Sequence, residues 1–189
     1  VKAIVGGRGD KTASKTLNRA TDTTRQPGST FKILAAYSAA LDAGGLTLAS
    51  VQDDAPYTYA GANGKSVNNY DRRYRGFTTL REAITDSINI VTVKTLAQAG
   101  VSLGWQYVQE YGFTTVDSRD MNEALALGGI TQGVSNLELT AAYAAIANQG
   151  TYIKPKFYTK ILDHDGNVLI DNTTPESHTV IKDTTAWLL

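Results

Sequence analysis

Two spacings of apolar residues alternate along the chain, and glycine or proline stands where one gives way to the other. Val1-Lys2-Ala3-Ile4-Val5 alternates as a strand does, and Gly6-Gly7 ends it. Residues 8–26 are polar, rich in Thr, Asn and Arg, and read as a long loop. Pro27-Gly28 breaks the chain, and Ile33 to Leu41 follows as an Ala- and Leu-rich helix that Gly44-Gly45 stops. Between Ala43 and Gly76 periodicity is weak. Turn residues and the rings of Tyr57, Tyr59, Tyr70 and Tyr74 give that segment the character of a lid or groove wall, with Asn63-Gly64 placed to close a small hairpin.

Helical spacing then returns. Thr78 or Thr79 caps a short helix through Ile84, and a second helix carries Ile90, Val93, Leu96 and Ala97 on one face before Gly100 stops it. Ser87 and Asn89 fall on the tight connection between the two. Trp105 to Tyr111 reads as a further helix closed by Gly112, and residues 113–123 as an irregular segment. Leu125 to Ile130 is apolar and broken by Gly128-Gly129, which predicts close backbone packing. Ser135-Asn136-Leu137-Glu138 is a capping box opening a core helix to Ala147, with Leu139, Ala142, Tyr143 and Ile146 inward. Residues 157–162 and 167–170 read as a hairpin about Asp165-Gly166, with His164 in its turn. Asp183 begins a last amphipathic helix. Helices set between strands of a largely antiparallel sheet predict an α/β sandwich of the α+β type.

Charge and composition narrow the function. Lys+Arg and Asp+Glu are both 18, so the 189 residues carry no formal net charge and no basic stripe for nucleic acid. A content of 42% hydrophobic and 19% charged residues fits a folded domain. Cysteine is absent, which excludes disulfides, thiolate metal sites and cysteine nucleophiles. His164 and His178 lie in polar, turn-like stretches, so a Ser-His-Asp arrangement lacks its base and no metal or cofactor is expected. A start in mid-strand and a final helix that stops at its apolar residues lead to the expectation of a longer parent chain.

The candidate chemistry is a serine and an amine. Ser29 and Lys32 sit three apart at the start of the first helix, a spacing that puts both on one face. A neutral lysine there can take the serine proton, provided burial or nearby positive charge lowers its pKa. Arg19 and Arg25 are candidates for that charge, although solvated loop arginines are the more ordinary reading of both. A capping serine and a solvated lysine would give the same spacing. The same holds at Ser87-Ile88-Asn89, where either polar residue is a possible cap for the helix that follows.

Both motifs occur in order, and their surroundings are specific. Arg25-Gln26-Pro27-Gly28-Ser29-Thr30-Phe31-Lys32, Leu80-Arg81-Glu82-Ala83 leading to Ser87-Ile88-Asn89, and Ala126-Leu127-Gly128-Gly129 before Gly133-Val134-Ser135-Asn136-Leu137-Glu138-Leu139 resemble the transpeptidase domain of class A, bifunctional penicillin-binding proteins. The resemblance spans nearly all of residues 1–189 and implies the penicillin-binding-protein and serine β-lactamase-like fold. It makes Ser29 the nucleophile, Lys32 the base, Ser87 the proton relay and Asn89 a residue that holds Lys32 and the substrate amide, with Tyr70 a further substrate contact. The implied substrates are D-Ala-D-Ala stem peptides of peptidoglycan, and β-lactams as their mimics. The implied setting is the extracytoplasmic face of the bacterial membrane, in a membrane-anchored parent that also carries a glycosyltransferase domain. One family element is missing: no Lys-Thr-Gly or Lys-Ser-Gly occurs here. Its strand is expected beyond Leu189, in a further segment or second chain, so residues 1–189 would be the N-terminal portion of the domain. D,D-carboxypeptidase, β-lactamase-like hydrolase and non-catalytic sensor remain as alternatives.

Overall fold

The structure, a computed structural model, describes residues 1–10, 12–60 and 64–189. Its centre is the run the sequence marks as most apolar. After a single 3-10 turn at Gly28–Thr30, a π-helical segment, Ile33–Tyr37, passes directly into α1, Ser38–Asp42. The Ser38 N–H reaches back to the Ile33 carbonyl, one residue further than in an α-helix. Leu34, Ala35, Ala36, Tyr37, Ala39 and Ala40 are all fully buried, so this helix is enclosed on every side.

Strands flank it in short pairs. β1 (Thr24–Arg25) pairs with β6 (Val134–Ser135), β2 (Val51–Asp54) with β5 (Gly76–Thr79), and β3 (Tyr57–Thr58) with β4 (Ser66–Val67). β7 (Thr151–Ile153) pairs with β10 (Ser177–Thr179), and β8 (Lys160–Leu162) with β9 (Val168–Asp171). All five pairings are antiparallel and each sheet has two strands. The remaining helices are α2 (Leu80–Thr85), α3 (Asn89–Ala99), α4 (Val101–Glu110), α5 (Asn136–Ala147) and α6 (Asp183–Leu188). Phe31, Leu34, Ile90, Val93, Leu96, Tyr111, Leu125 and Ala142 form the main core, and Tyr37, Leu80, Ala83, Ile88 and Val91 a smaller one. Buried hydroxyls pair within it: Tyr37 with Thr92 at 2.8 Å, Ser38 with Tyr111 at 2.9 Å.

Several expectations change. Residues 1–5 form no strand, because no described strand runs beside them to take their backbone groups. The segment 43–76 holds three short strands and the start of a fourth where little regularity was legible, because each is two to four residues long, too short for an alternating pattern to show. The Asn63-Gly64 turn lies partly outside the described residues, although β3 and β4 do pair on either side of it. α4 starts at Val101 and not at Trp105, since Gly100 (φ +106°) ends α3 and opens α4 at once. On α5 the enclosed face is Ala141, Ala142 and Ala145. Leu139 and Ile146 are half-buried, and Tyr143 turns outward to donate to the Thr30 carbonyl at 2.6 Å. The capping box at Ser135 and the hairpin turn holding His164 stand where the sequence puts them.

Candidate active site

Ser29 lies in the middle of the 3-10 turn, mounted on the buried helix. Gly28 takes φ +60°, which a side chain would resist, and Thr30 closes the turn by donating to the Pro27 carbonyl at 2.7 Å. Behind it stands Gly128, itself at φ +72°. A Cβ there would lie 2.5 Å from the Gly28 nitrogen and 2.6 Å from its oxygen. The Gly-Gly break in the apolar stretch thus sets how closely that backbone backs the serine. The Ser29 side chain is exposed, and its hydroxyl has no hydrogen-bond partner among the described residues.

Lys32 is its opposite. The residue is only 3% exposed, and its Nζ donates to the Ser87 carbonyl at 2.5 Å and to Ser87 Oγ at 2.9 Å. Burial pushes the ammonium down to about 8. Desolvation is the cause; Arg19 and Arg25, offered as sources of positive charge, are both exposed.

Ser87 sits in a Schellman turn. Ile88 N–H donates to the Ala83 carbonyl at 2.9 Å and Ser87 N–H to that of Ile84 at 3.3 Å, the pattern that closes a helix through a left-handed residue. Glycine commonly fills that place. Here it is Ser87, with φ +54°. The side chain that tolerates this conformation is the one Lys32 touches.

Neither Ser87 nor Asn89 caps α3. Its N-cap is Ile88, which has no polar side chain to offer. Asn89 donates its carboxamide Nδ2 to the Asn68 carbonyl at 2.7 Å. It is not joined to Lys32, as the resemblance implied; among the described contacts Lys32 Nζ meets Ser87 alone. Tyr70 is fully exposed, next to this network but outside it. The structure therefore joins Lys32 to Ser87, leaves Ser29 free on the turn before Lys32, and ties Asn89 to the 68–69 segment. The residue missed by sequence reasoning is Asn69, 4% exposed, whose carboxamide meets the start of α3.

Other features fall elsewhere. A pocket of about 660 Å³ runs between residues 1–5, α5 and Ile153 to Lys156, and none of the four motif residues lines it. Glu123 is 8% exposed and accepts from Tyr57 Oη and the Ala60 N–H, both at 2.9 Å. Among the described residues no cluster of His, Cys, Asp and Glu could hold a metal, and no helix is long and apolar enough to cross a membrane.

The site is thus a serine with no hydrogen-bond partner among the described residues, three positions before a buried amine bound to a second serine. The chain belongs to the penicillin-binding-protein transpeptidase family: residues 2–189 match the model of the penicillin binding protein transpeptidase domain. It is 41% identical over 187 residues to penicillin-binding protein 1F of Bacillus subtilis (strain 168), covering 99% of this chain and 25% of that protein. It is 40% identical over 173 residues to penicillin-binding protein 1A of Neisseria flavescens, covering 89% and 21%. Among solved structures, penicillin-binding protein 1A of Haemophilus influenzae superposes with a TM-score of 0.72 at 33% identity, over 86% of this chain and 24% of that one. The fold of PonA1 from Mycobacterium tuberculosis matches with a TM-score of 0.78 at 23% identity, over 96% and 48%. The chain spans about a quarter of the length of the curated relatives named here.

Proposed function

We propose that this chain is the serine-bearing part of a D,D-transpeptidase domain that cross-links peptidoglycan stem peptides. The observation that carries the reading is Lys32: buried, held near pH 8, and fixed to both oxygens of Ser87. In its neutral form Lys32 takes the Ser29 proton, and Ser29 Oγ bonds to the carbonyl carbon of the penultimate D-alanine. The negative oxygen that forms needs donors already in place. Ser29 N–H stands at the open start of the 3-10 turn, where no helical partner uses it. The carbon–nitrogen bond then breaks, and the proton on Lys32 passes through Ser87 Oγ to the departing D-alanine amine. An amine from a second stem peptide attacks the ester carbon and releases Ser29. A β-lactam enters by the same first step, but its leaving group stays attached, so the ester persists.

Asn89, with Tyr70 beyond it, lies on the side where the substrate amide would run. The opposite wall, with the family's Lys-Thr-Gly strand, is assigned to a segment outside these 189 residues. The substrates place the domain on the extracytoplasmic face of the membrane, in an anchored parent. Glu123 favours transpeptidation over a β-lactamase reading. The acid that could have positioned water is engaged by Tyr57 and the Ala60 backbone.

The test uses the full-length protein, a pentapeptide donor ending in D-Ala-D-Ala and an amine acceptor. Release of D-alanine with formation of the donor–acceptor product is expected. Release with hydrolysis alone would make it a carboxypeptidase, and rapid turnover of penicillin a β-lactamase.

A further inference from the structure

The N-terminus of α3 poses a problem that its own sequence does not solve. The first N–H groups of a helix need acceptors, and the N-cap Ile88 has none to give. The acceptor comes from twenty residues upstream. Asn69 Oδ1 receives the Asn89 N–H at 3.0 Å and the Ile90 N–H at 3.1 Å. The other end of the carboxamide is fixed as firmly. Asn69 Nδ2 lies 2.8 and 3.0 Å from the two oxygens of Asp54 and 2.8 Å from the Arg73 carbonyl. Asp54 is fully buried, accepts from the Arg75 N–H at 2.9 Å and lies 3.8 Å from the Arg75 guanidinium. The preceding residue adds a second tie through its carbonyl to Asn89 Nδ2.

Resting on the acyl-transfer reading above, we propose that Asn69, held by Asp54, is a positioning residue for the reaction. It clamps the first turn of α3 and, two residues before that helix begins, the Ser87 group that Lys32 holds. The orientation has one solution. Toward α3 the position needs an acceptor, and toward Asp54 it needs a donor; a carboxamide supplies both at once. Alanine removes both, leaves a buried carboxylate short of partners, and frees the start of α3 to fray. The Ser87 carbonyl and hydroxyl then lose their fixed distance from Lys32 Nζ. Aspartate keeps the acceptor but sets two carboxylates against each other.

The experiment measures acylation of the full-length protein by a fluorescent penicillin, separating three quantities: the limiting rate constant at saturating penicillin, the final label per protein, and the melting temperature. Asn69→Ala and Asn69→Asp are expected to lower the limiting rate constant about tenfold to a hundredfold, the scale set by small misplacements of reacting groups, while the folded fraction still reaches one label per chain. The exchanged pair Asn69→Asp with Asp54→Asn keeps the acceptor toward α3 and restores a donor between positions 54 and 69, although the Arg73 carbonyl loses its donor, so it should react about threefold or more faster than Asn69→Asp alone. A residue that only holds the fold would lower the melting temperature and the labelled fraction, with an unchanged rate constant in what remains folded. That outcome overturns the inference. So does an exchanged pair that folds and reacts no faster than Asn69→Asp alone, which also covers the case where Asn69→Ala fails to fold. A wild-type protein that takes no label overturns the acyl-transfer reading itself, and so is distinguishable from a failure of Asn69 alone.

Discussion

Two tight turns present a serine beside Lys32, one by sequence and one by contact, and they are built on opposite plans. In the Ser29 turn the left-handed position belongs to Gly28, the Gly128 backbone packs close behind it, and the serine hydroxyl has no hydrogen-bond partner among the described residues. In the Ser87 turn the serine itself takes the left-handed position, and both its oxygens are bound by Lys32. A non-glycine residue held there costs about 1–2 kcal/mol. The strain lies on the serine that Lys32 holds, and the freedom on the serine that the proposed reaction moves onto a carbonyl carbon.

The largest way to break this contrast is to remove the amine that links the two turns. Lys32→Ala should slow penicillin acylation of the full-length protein by about 10²–10⁴-fold, the usual scale for a lost general base. In the wild type the acylation rate should climb with pH as Lys32 loses its proton near pH 8, and then level off. A profile flat across pH 7–9 would remove Lys32 from the base role. Stability should move in the same direction. Between about 8 and 10.5 the unfolded chain binds the extra proton, so the fold gains stability as pH rises through that window, and the burial cost is fully present below it.

Next comes Ser87→Gly. It keeps the Schellman turn and relieves its strain, so thermal denaturation should show a gain of about 1 kcal/mol, or roughly 2–4 °C. The acylation rate should nonetheless fall by about 10²-fold, since the relay hydroxyl is gone. A variant both less stable and equally fast would show that the turn is neither strained nor involved. Gly128→Ala acts on the other turn. Its methyl group would press on Gly28 from a position that itself resists a side chain, so a loss of about 2–4 kcal/mol and an acylation rate about tenfold lower are expected from calorimetry and labelling. The smallest effect is a control. Ser135→Ala removes the α5 capping box at about 1 kcal/mol, and the acylation rate per folded molecule should not change.

The contrast also marks what could be read before any coordinates. The turns that carry Ser29 and Ser87 were legible because glycine, proline and capping residues announce where the helices around them start and stop. Helix α5 and the 157–172 hairpin were legible for the same reason. The cap on α3 was not, because Asn69 reaches it across twenty residues and a carboxamide in a polar segment carries no local signal. β2 and β5 were missed because Val51-Gln52-Asp53-Asp54 holds one apolar residue, and its ladder depends on a partner some twenty-five residues away. The source of the Lys32 shift was not legible: burial and a neighbouring charge stood as two possible causes, and burial is the one the structure shows. Asn89 shows the limit of carrying a role across by motif, since in this structure its carboxamide holds the Asn68 carbonyl.

The central claim is that Ser29 is the residue that becomes acylated. Mass spectrometry of the full-length protein after exposure to penicillin, with digestion to locate the adduct, tests it directly. One added penicillin per chain, on the peptide holding Ser29 and absent from Ser29→Ala, is the predicted result. An adduct on any other residue, or none on a folded wild-type protein, would contradict it.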